Sequence, residues 1–422
     1  MKLSEKIRSG AYDAGIAAVY YAGLGPMRER AVAAAERFEA LFGDSSDAML
    51  YSAPGRAEIG GNHTDHQNGR VLAAAISLDI LAVVRKSSGK IVSMHSEGFD
   101  YFSLNLGSLV KIPWEAGGPE SLIRGVASAL KSNGFEIGGF DAYVTSELPQ
   151  GSGLSSSAAF EVLVGGIFNN LYNNGGISLE QIAAFGKFAE NEYFGKPCGL
   201  MDQMASASGG FVAIDFENSG SPRVESINFD LHSSGFLLCV SDTGGSHEGL
   251  TSAYAAITKD MRSVAAFFGK TVLREVPPGL IIENITVLRK ICGDRALLRA
   301  MHFFAEDARA VRQADALRAG DFGGFLELVR ESGRSSAMYL QNVSLTVREQ
   351  SISVALALSD ALLEGRGAVR VHGGGFAGTV LAFVPEDALE RYRTGMESVF
   401  GSGSCHALSV RQLGARQIFL HA

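Results

Sequence analysis

The chain has few of the features that mark secreted, membrane-spanning or low-complexity proteins. Only four of its 422 residues are cysteine, and they are too widely spaced to form a metal-ligand pattern, which predicts reduced thiols in a cytoplasmic protein. No run approaches the roughly 18 uninterrupted apolar residues of a membrane span. The N-terminal residues lack the apolar core of a signal peptide. We therefore expect a cytoplasmic protein without a membrane partner.

Charge is also scarce, because only 19% of the residues are charged and the net charge is −8. No basic stripe stands out, so a nucleic-acid partner is not expected. The apolar fraction of 46% is typical of a folded protein. A chain of this length is too long to fold around one ordinary hydrophobic core, which predicts two domains. Strand and helix patterns are mixed in both halves, so we expect α+β domains at residues 1–210 and 211–422.

The most informative segment is a turn rich in glycine and serine that leads from a strand pattern into a helix pattern over about 155–173. Glycines let a ligand approach the backbone closely, because they have no Cβ. The first amides of the helix have no partner within it, and together with the helix dipole they favour a phosphate chain. A glycine-serine turn with serines as ordinary helix caps is the alternative. The residues of this turn are Gly151, Ser152, Gly153, Leu154, Ser155, Ser156 and Ser157.

A second segment, residues 54–66, crowds polar side chains between glycines. Its carboxylates can accept hydrogen bonds from sugar hydroxyls, and its amide and imidazole groups can donate or accept them. The segment is therefore suited to a polyhydroxylated ligand, although a solvated polar turn remains the alternative for any single residue. Its charged, amide and imidazole residues are Arg56, Glu58, Asn62, His63, Asp65 and His66.

Four segments together resemble motifs of the GHMP kinases, the small-molecule kinases that include the galactokinases. The turn resembles Pro-x-Gly-x-Gly-Leu-Ser-Ser-Ser-Ala, and residues 55–66 resemble the galactokinase signature Gly-Arg-x-Asn-x-x-Gly-Glu-His-x-Asp-Tyr. Residues 198–203 resemble the galactokinase stretch Cys-Gly-Ile/Leu-Met-Asp-Gln, and residues 371–378 resemble the third GHMP motif. The resemblance covers roughly residues 20–415. It implies a two-domain α+β GHMP kinase fold, with a ribosomal protein S5 domain 2-like N-terminal domain and a ferredoxin-like C-terminal domain.

The same resemblance implies ATP-dependent phosphorylation of the C1 hydroxyl of galactose, giving galactose 1-phosphate and ADP in a cleft between the halves. Asp202 would be the base, and Arg56 would stabilise charge near the reacting oxygen. The phosphate turn would bind ATP, and Ser157 and Glu190 would hold Mg²⁺, which prefers oxygen ligands. We expect a monomer or weak dimer. The implied sugar-binding residues are Asn62, His63, Asp65, Gly199 and Tyr254.

Three positions depart from the galactokinase signature: Glu58 stands where Asn is usual, Asn62 where Glu is usual and His66 where Tyr is usual. A charged hydrogen bond is worth about 1.5–3 kcal/mol and a neutral one about 1, so Asn62→Glu is expected to tighten galactose binding. Kinases for N-acetylgalactosamine or a deoxygalactose are therefore alternatives. A non-catalytic galactose sensor is a further alternative, but sensors of this type lack two residues after the serines, and Ser157-Ala158-Ala159 is uninterrupted.

Overall fold

The computed structural model describes residues 1–20, 23–149, 153–196, 198–218, 220–245, 250–376 and 378–419. No helix within these ranges combines the length and the apolarity needed to cross a bilayer. The helices are α1 (Leu3–Arg8), α2 (Asp13–Val19), α3 (Leu24–Phe42), α4 (Pro119–Ser132), α5 (Ser156–Tyr172), α6 (Leu179–Phe188), α7 (Met201–Ser208), α8 (Leu250–Phe267), α9 (Gly279–Glu283), α10 (Ile285–Ile291), α11 (Asp294–Arg318), α12 (Phe322–Ser335), α13 (Ser351–Leu363) and α14 (Leu389–Phe400). The strands are β1 (Met49–Gly60), β2 (Arg70–Lys86), β3 (Ile91–Ser96), β4 (Phe102–Asn105), β5 (Phe140–Ser146), β6 (Phe211–Asp215), β7 (Arg223–Ile227), β8 (Phe236–Asp242), β9 (Ala368–His372), β10 (Thr379–Pro385), β11 (Cys405–Leu408) and β12 (Arg416–Ile418).

The chain forms two compact units. The first contains residues 1–56, 75–210 and 411–422, and the second contains residues 57–74 and 211–410. The chain changes from one unit to the other after residues 56, 74, 210 and 410. The change after Gly210 coincides with the expected domain boundary, whereas nothing in the sequence indicates the other three. The division into domains 1–210 and 211–422 therefore stays a prediction. The change of unit inside β1 assigns Gly55 and Arg56 to the first unit and residues 57–66, the rest of the galactokinase-like segment, to the second.

The sheet of the first unit has the strand order β12-β1-β2-β5-β3-β4. Its long central strand β2 is apolar and almost wholly buried, as expected for a strand covered on both faces. The later part of β2 pairs antiparallel with β5, from Ile80 opposite Ser146 to Lys86 opposite Phe140. Helices α1–α3 bury Phe38 in a cluster with Leu81 of this sheet. β5 therefore leaves a firmly packed sheet just before the phosphate turn.

The second unit contains an antiparallel sheet with the order β11-β8-β10-β9. Helices separate β8 from β9, β9 is followed directly by β10, and α14 connects β10 to β11. This order and these connections define a ferredoxin-like βαββαβ unit. Every residue of β9 and β10 is buried. The glycine block 373–375 begins where β9 ends, so the sheet fixes one edge of the candidate site.

Candidate active site

The first unit brings the predicted base, Asp202, against the predicted cation, Arg56. Arg56 Nε donates to Asp202 Oδ1 and Arg56 Nη2 to Asp202 Oδ2, both over 2.7 Å. The hydroxyl of Ser155 donates to the same Oδ2. Burial would raise the pKa of Asp202, but the charge and hydrogen bonds of Arg56, with the bond from Ser155, lower it below its ordinary value. Asp202 is therefore ionised at neutral pH, and 26% of its side chain remains accessible.

The phosphate turn is tied to the same pair. Ser155 is the N-cap residue of α5 and has the left-handed conformation, with φ 60° and ψ 56°. A non-glycine residue in this region is uncommon and is often found at functional sites. The guanidinium of Arg56 also donates to the carbonyl of Gly153, and its backbone N–H donates to the carbonyl of Leu154 over 3.2 Å. Gly151 and Ser152 lie outside the described residues.

Ser157, in the first turn of α5, meets the predicted metal ligand Glu190. Its hydroxyl donates to Glu190 Oε1 over 2.8 Å. Glu190 lies in a π-helical turn, Ala189–Phe194, and its side chain is 2% exposed. Lys196 Nζ lies 3.0 Å from the same oxygen, and Gln203 Nε2 donates to Glu190 Oε2. The nearby Glu192 is exposed. The oxygens of Ser157 and Glu190 are thus adjacent at the start of the phosphate helix.

A cavity of about 430 Å³ in the first unit opens beside Ser156 and Ser157. Its lining is mainly apolar and aromatic and includes three acidic side chains, those of Glu97, Asp100 and Glu120. The sequence gives no sign of this cavity, because its lining comes from segments that are far apart in the chain. Its principal lining residues are Ile80, Glu97, Phe99, Phe102, Glu120, Leu122, Val144, Leu148, Phe160 and Phe194.

In the second unit the glycine block holds three of the predicted sugar-binding residues. Three successive carbonyls accept hydrogen bonds: that of Gly373 from Asn62 Nδ2 at 2.7 Å, that of Gly374 from His63 Nε2 at 3.1 Å, and that of Gly375 from Tyr254 OH at 3.3 Å. A Cβ at Gly374 would lie 2.3 Å from the ring of Tyr254. Glycine is therefore required there, because any side chain would displace the tyrosine.

His63 is held in one protonation state and one orientation. It has a left-handed φ of 59°, and its ring stacks on that of Tyr254 with 6.4 Å between the centroids. Burial, together with the neighbouring His66, lowers the pKa of His63 to about 4, so its imidazole is neutral at pH 7. Because the carbonyl of Gly374 can only accept, Nε2 carries the hydrogen and Nδ1 is left as an acceptor.

Asp65 and Gly199 complete the predicted set. Asp65 begins a short 3₁₀ turn, and its Oδ1 accepts the N–H of His66 over 2.9 Å. Its side chain is 14% exposed. Gly199 is half-buried two residues before α7, the helix that carries Asp202. Each of the two units therefore assembles its own group of the predicted residues.

Asn62 is fully buried, and its amide has partners on both sides. Its Nδ2 donates to Glu58 Oε1 as well as to Gly373, each at 2.7 Å. Its Oδ1 accepts from Asn342 Nδ2 at 2.9 Å and from Ser336 Oγ at 3.3 Å. Both hydrogens and the oxygen of the Asn62 amide are therefore hydrogen-bonded within the second unit.

Two family models match the chain: the GHMP kinases N terminal domain over residues 121–210 and the galactokinase galactose-binding signature over residues 36–86. A galactokinase of Glaesserella parasuis serovar 5 (strain SH0165) is 31% identical over 367 residues, covering 85% of this chain and 90% of that protein. The crystal structure of Lactococcus lactis galactokinase complexed with galactose is similar, with a TM-score of 0.76, 24% identity and coverage of 90% of this chain and 97% of that one. Methanococcus jannaschii mevalonate kinase has a TM-score of 0.61 and 15% identity, over 86% of this chain and 99% of that one.

The fold shared with these structures is that of the GHMP kinases, which confirms the predicted α+β fold class. The identity to the Glaesserella protein extends over most of both chains, so this chain belongs to the galactokinase family. It is accordingly a sugar kinase, as the sequence motifs predicted.

The protonation of His63 predicts a specific pH dependence of stability. Its folded-state pKa, about 4, lies below the ordinary value near 6.5, so the unfolded chain takes up the proton first as pH falls. The stability contributed by this residue is complete above about pH 6.5 and declines towards pH 4, by up to about 1.4 kcal/mol per pH unit. His63→Gln should therefore reduce the loss of Tm between about pH 7 and pH 5.

The control for this measurement is His406→Gln, which alters a histidine in β11, outside the segment 54–66. Comparison of the two variants shows whether a reduced loss of Tm is specific to position 63. An undiminished loss in the His63 variant would mean that the imidazole is protonated in the folded state.

Proposed function

We propose that this protein transfers the γ-phosphoryl group of ATP to the C1 hydroxyl of galactose, giving galactose 1-phosphate and ADP. The observation that carries the proposal is the bidentate pair of Arg56 and Asp202 beside the N-terminus of α5. The match to the galactose-binding signature supports the sugar. The relative from Lactococcus lactis was crystallised with galactose. No comparison favours another sugar or a non-catalytic sensor.

Asp202 acts as the base in this proposal. It is ionised, so it can orient the attacking hydroxyl and accept its proton as the bond to phosphorus forms. Its lowered pKa makes it a weak base, which suits a reaction in which positioning and charge stabilisation supply most of the rate. Arg56 stabilises the negative charge that remains beside the reacting oxygen.

The nucleotide is bound by the start of α5 and by the neighbouring cavity. The free amides and dipole of the helix favour the phosphates. The aromatic walls around Phe99, Phe102 and Phe160 suit a flat purine. This placement makes ATP a ligand of the first unit.

Ser157 and Glu190 hold Mg²⁺ in this proposal. Their oxygens lie 2.8 Å apart, so both would be available to one ion. One carboxylate and one hydroxyl, with phosphates and waters, form a usual magnesium set. The ion would supply positive charge to the phosphates there, and Lys196 Nζ, 3.0 Å from Glu190 Oε1, would add a second cation beside them.

His63, Asp65 and Tyr254 bind the sugar. His63 Nδ1 accepts a hydroxyl hydrogen, because Nε2 is committed to Gly374. The accessible part of Asp65 offers a charged acceptor, and Tyr254 fixes the plane of the imidazole. Gly199 lets the sugar approach the chain before α7.

We propose a monomer or weak dimer acting on small molecules.

The test is the release of ADP with MgATP and a panel of galactose, 6-deoxygalactose and N-acetylgalactosamine, with ³¹P NMR of the product. Galactose is expected to give the highest kcat/KM and an anomeric phosphate. A higher kcat/KM for either analogue would overturn the assignment of galactose while leaving the sugar kinase intact. Sugar binding by thermal shift without turnover would favour a sensor.

A further inference from the structure

Glu58 and Asn62 carry the two residue types of the galactokinase signature in reversed order. The signature has Asn at the first position and Glu at the second, and this chain has Glu and then Asn. The two side chains are in direct contact, since Asn62 Nδ2 donates to Glu58 Oε1 over 2.7 Å. One carboxylate and one amide are therefore kept, but their positions are exchanged.

We propose that Glu58 and Asn62 are a compensating exchange that positions the sugar-binding loop, residues 61–66, with Arg370 as the counter-ion of the moved carboxylate. Asn62 is then a positioning residue in place of the predicted sugar contact. This inference rests on the proposed function for its effect on galactose, although the pairing itself does not depend on turnover.

The charge on Glu58 is neutralised within the second unit. Arg370 Nη2 lies 2.9 Å from the same Oε1 that accepts from Asn62, and Arg370 is fully buried in β9. The neighbouring buried acid, Glu306, pairs with Arg309. Two buried carboxylates thus face two arginines. A buried charge that loses its partner is strongly destabilising, so this balance constrains which residue can stand at position 62.

Hydrogen bonds to the backbone also hold the loop in place at Asn62. His302 Nε2 donates to the carbonyl of Asn62 over 3.0 Å, and Glu306 Oε1 accepts the N–H of Gly61 over 3.1 Å. His63 follows directly and binds Gly374. A shift of the Asn62 amide would therefore move the imidazole that presents Nδ1 to the sugar.

This arrangement reverses the expectation from the sequence alone for Asn62→Glu. The new carboxylate would stand against Glu58 Oε1 and against the carbonyl of Gly373, both of which are acceptors. Three buried carboxylates would then share two arginines. We expect Asn62→Glu to lower Tm by about 5–10 °C and to raise KM for galactose about tenfold or more, with KM for ATP within twofold.

The experiment is a double-mutant cycle with Glu58→Asn, Asn62→Glu and both together. The single changes should each lower Tm and raise KM for galactose, because Glu58→Asn leaves Arg370 without its carboxylate. The double variant restores one carboxylate beside one amide. It should reverse at least half of the fall in Tm and at least half of the rise in KM for galactose that Asn62→Glu causes.

Glu58→Gln separates charge from shape, since it keeps an oxygen that can accept from Asn62 but removes the charge. It should resemble Glu58→Asn in Tm, because Arg370 loses its counter-ion in both. A double variant whose losses equal the sum of the single losses would overturn the proposal. If Asn62→Glu does not fold, a folded double variant supports the exchange and an unfolded one contradicts it. Because Tm is read without turnover, an inactive parent protein would refute the proposed function alone.

Discussion

Asp202→Asn is expected to lower kcat by about 10²–10⁴-fold while galactose and ATP still bind, because the positioned base acts mainly on the chemical step. Asparagine keeps the size of the side chain and can still accept from Ser155, but it removes the charge that Arg56 holds at two points. Steady-state kinetics and calorimetric binding of each substrate would measure the two effects separately.

The control for Asp202→Asn is a double-mutant cycle with Arg56→Ala, since residues that act as a unit have non-additive effects. The double variant should lose little more activity than the worse single variant. Independent, additive losses would show that the two residues act separately. Near-normal kcat in Asp202→Asn would refute its role as the base.

Glu190→Gln is expected to raise the Mg²⁺ concentration needed for half-maximal activity about tenfold or more and to reduce kcat. The carboxylate is the charged member of the proposed ligand pair, and glutamine offers only a neutral oxygen beside Ser157. Binding of Mn²⁺ by electron paramagnetic resonance, with and without a non-hydrolysable ATP analogue, would measure the affinity independently of turnover.

Glu192→Gln is the matched control, since Glu192 lies in the same π-helical turn but is exposed. It should keep the metal dependence of the unchanged protein. Equal metal affinity in both variants would show that Glu190 is no ligand and serves only to hold Lys196 and Gln203.

Much of the local structure was predictable because it follows from periodicity and end signals. The helix expected over about 155–173 is α5, Ser156–Tyr172. The next helix, α6, is regular only in its first part. It continues as an α-helix to Phe188 and then widens into the π-helical turn that turns Glu190 inward.

The amino-acid sequence by itself determined the kinase family and the order of its motifs, because chemistry-bearing residues at fixed short spacings survive as a readable pattern. Only the tertiary structure decided what each side chain contacts. The Arg56–Asp202 pair joins residues 146 positions apart, and Arg370 reaches Glu58 across 312. Asn62 illustrates the difference. Its identity suggested a weakened sugar contact, but buried hydrogen bonds and charge balance depend on neighbours that no local pattern reveals.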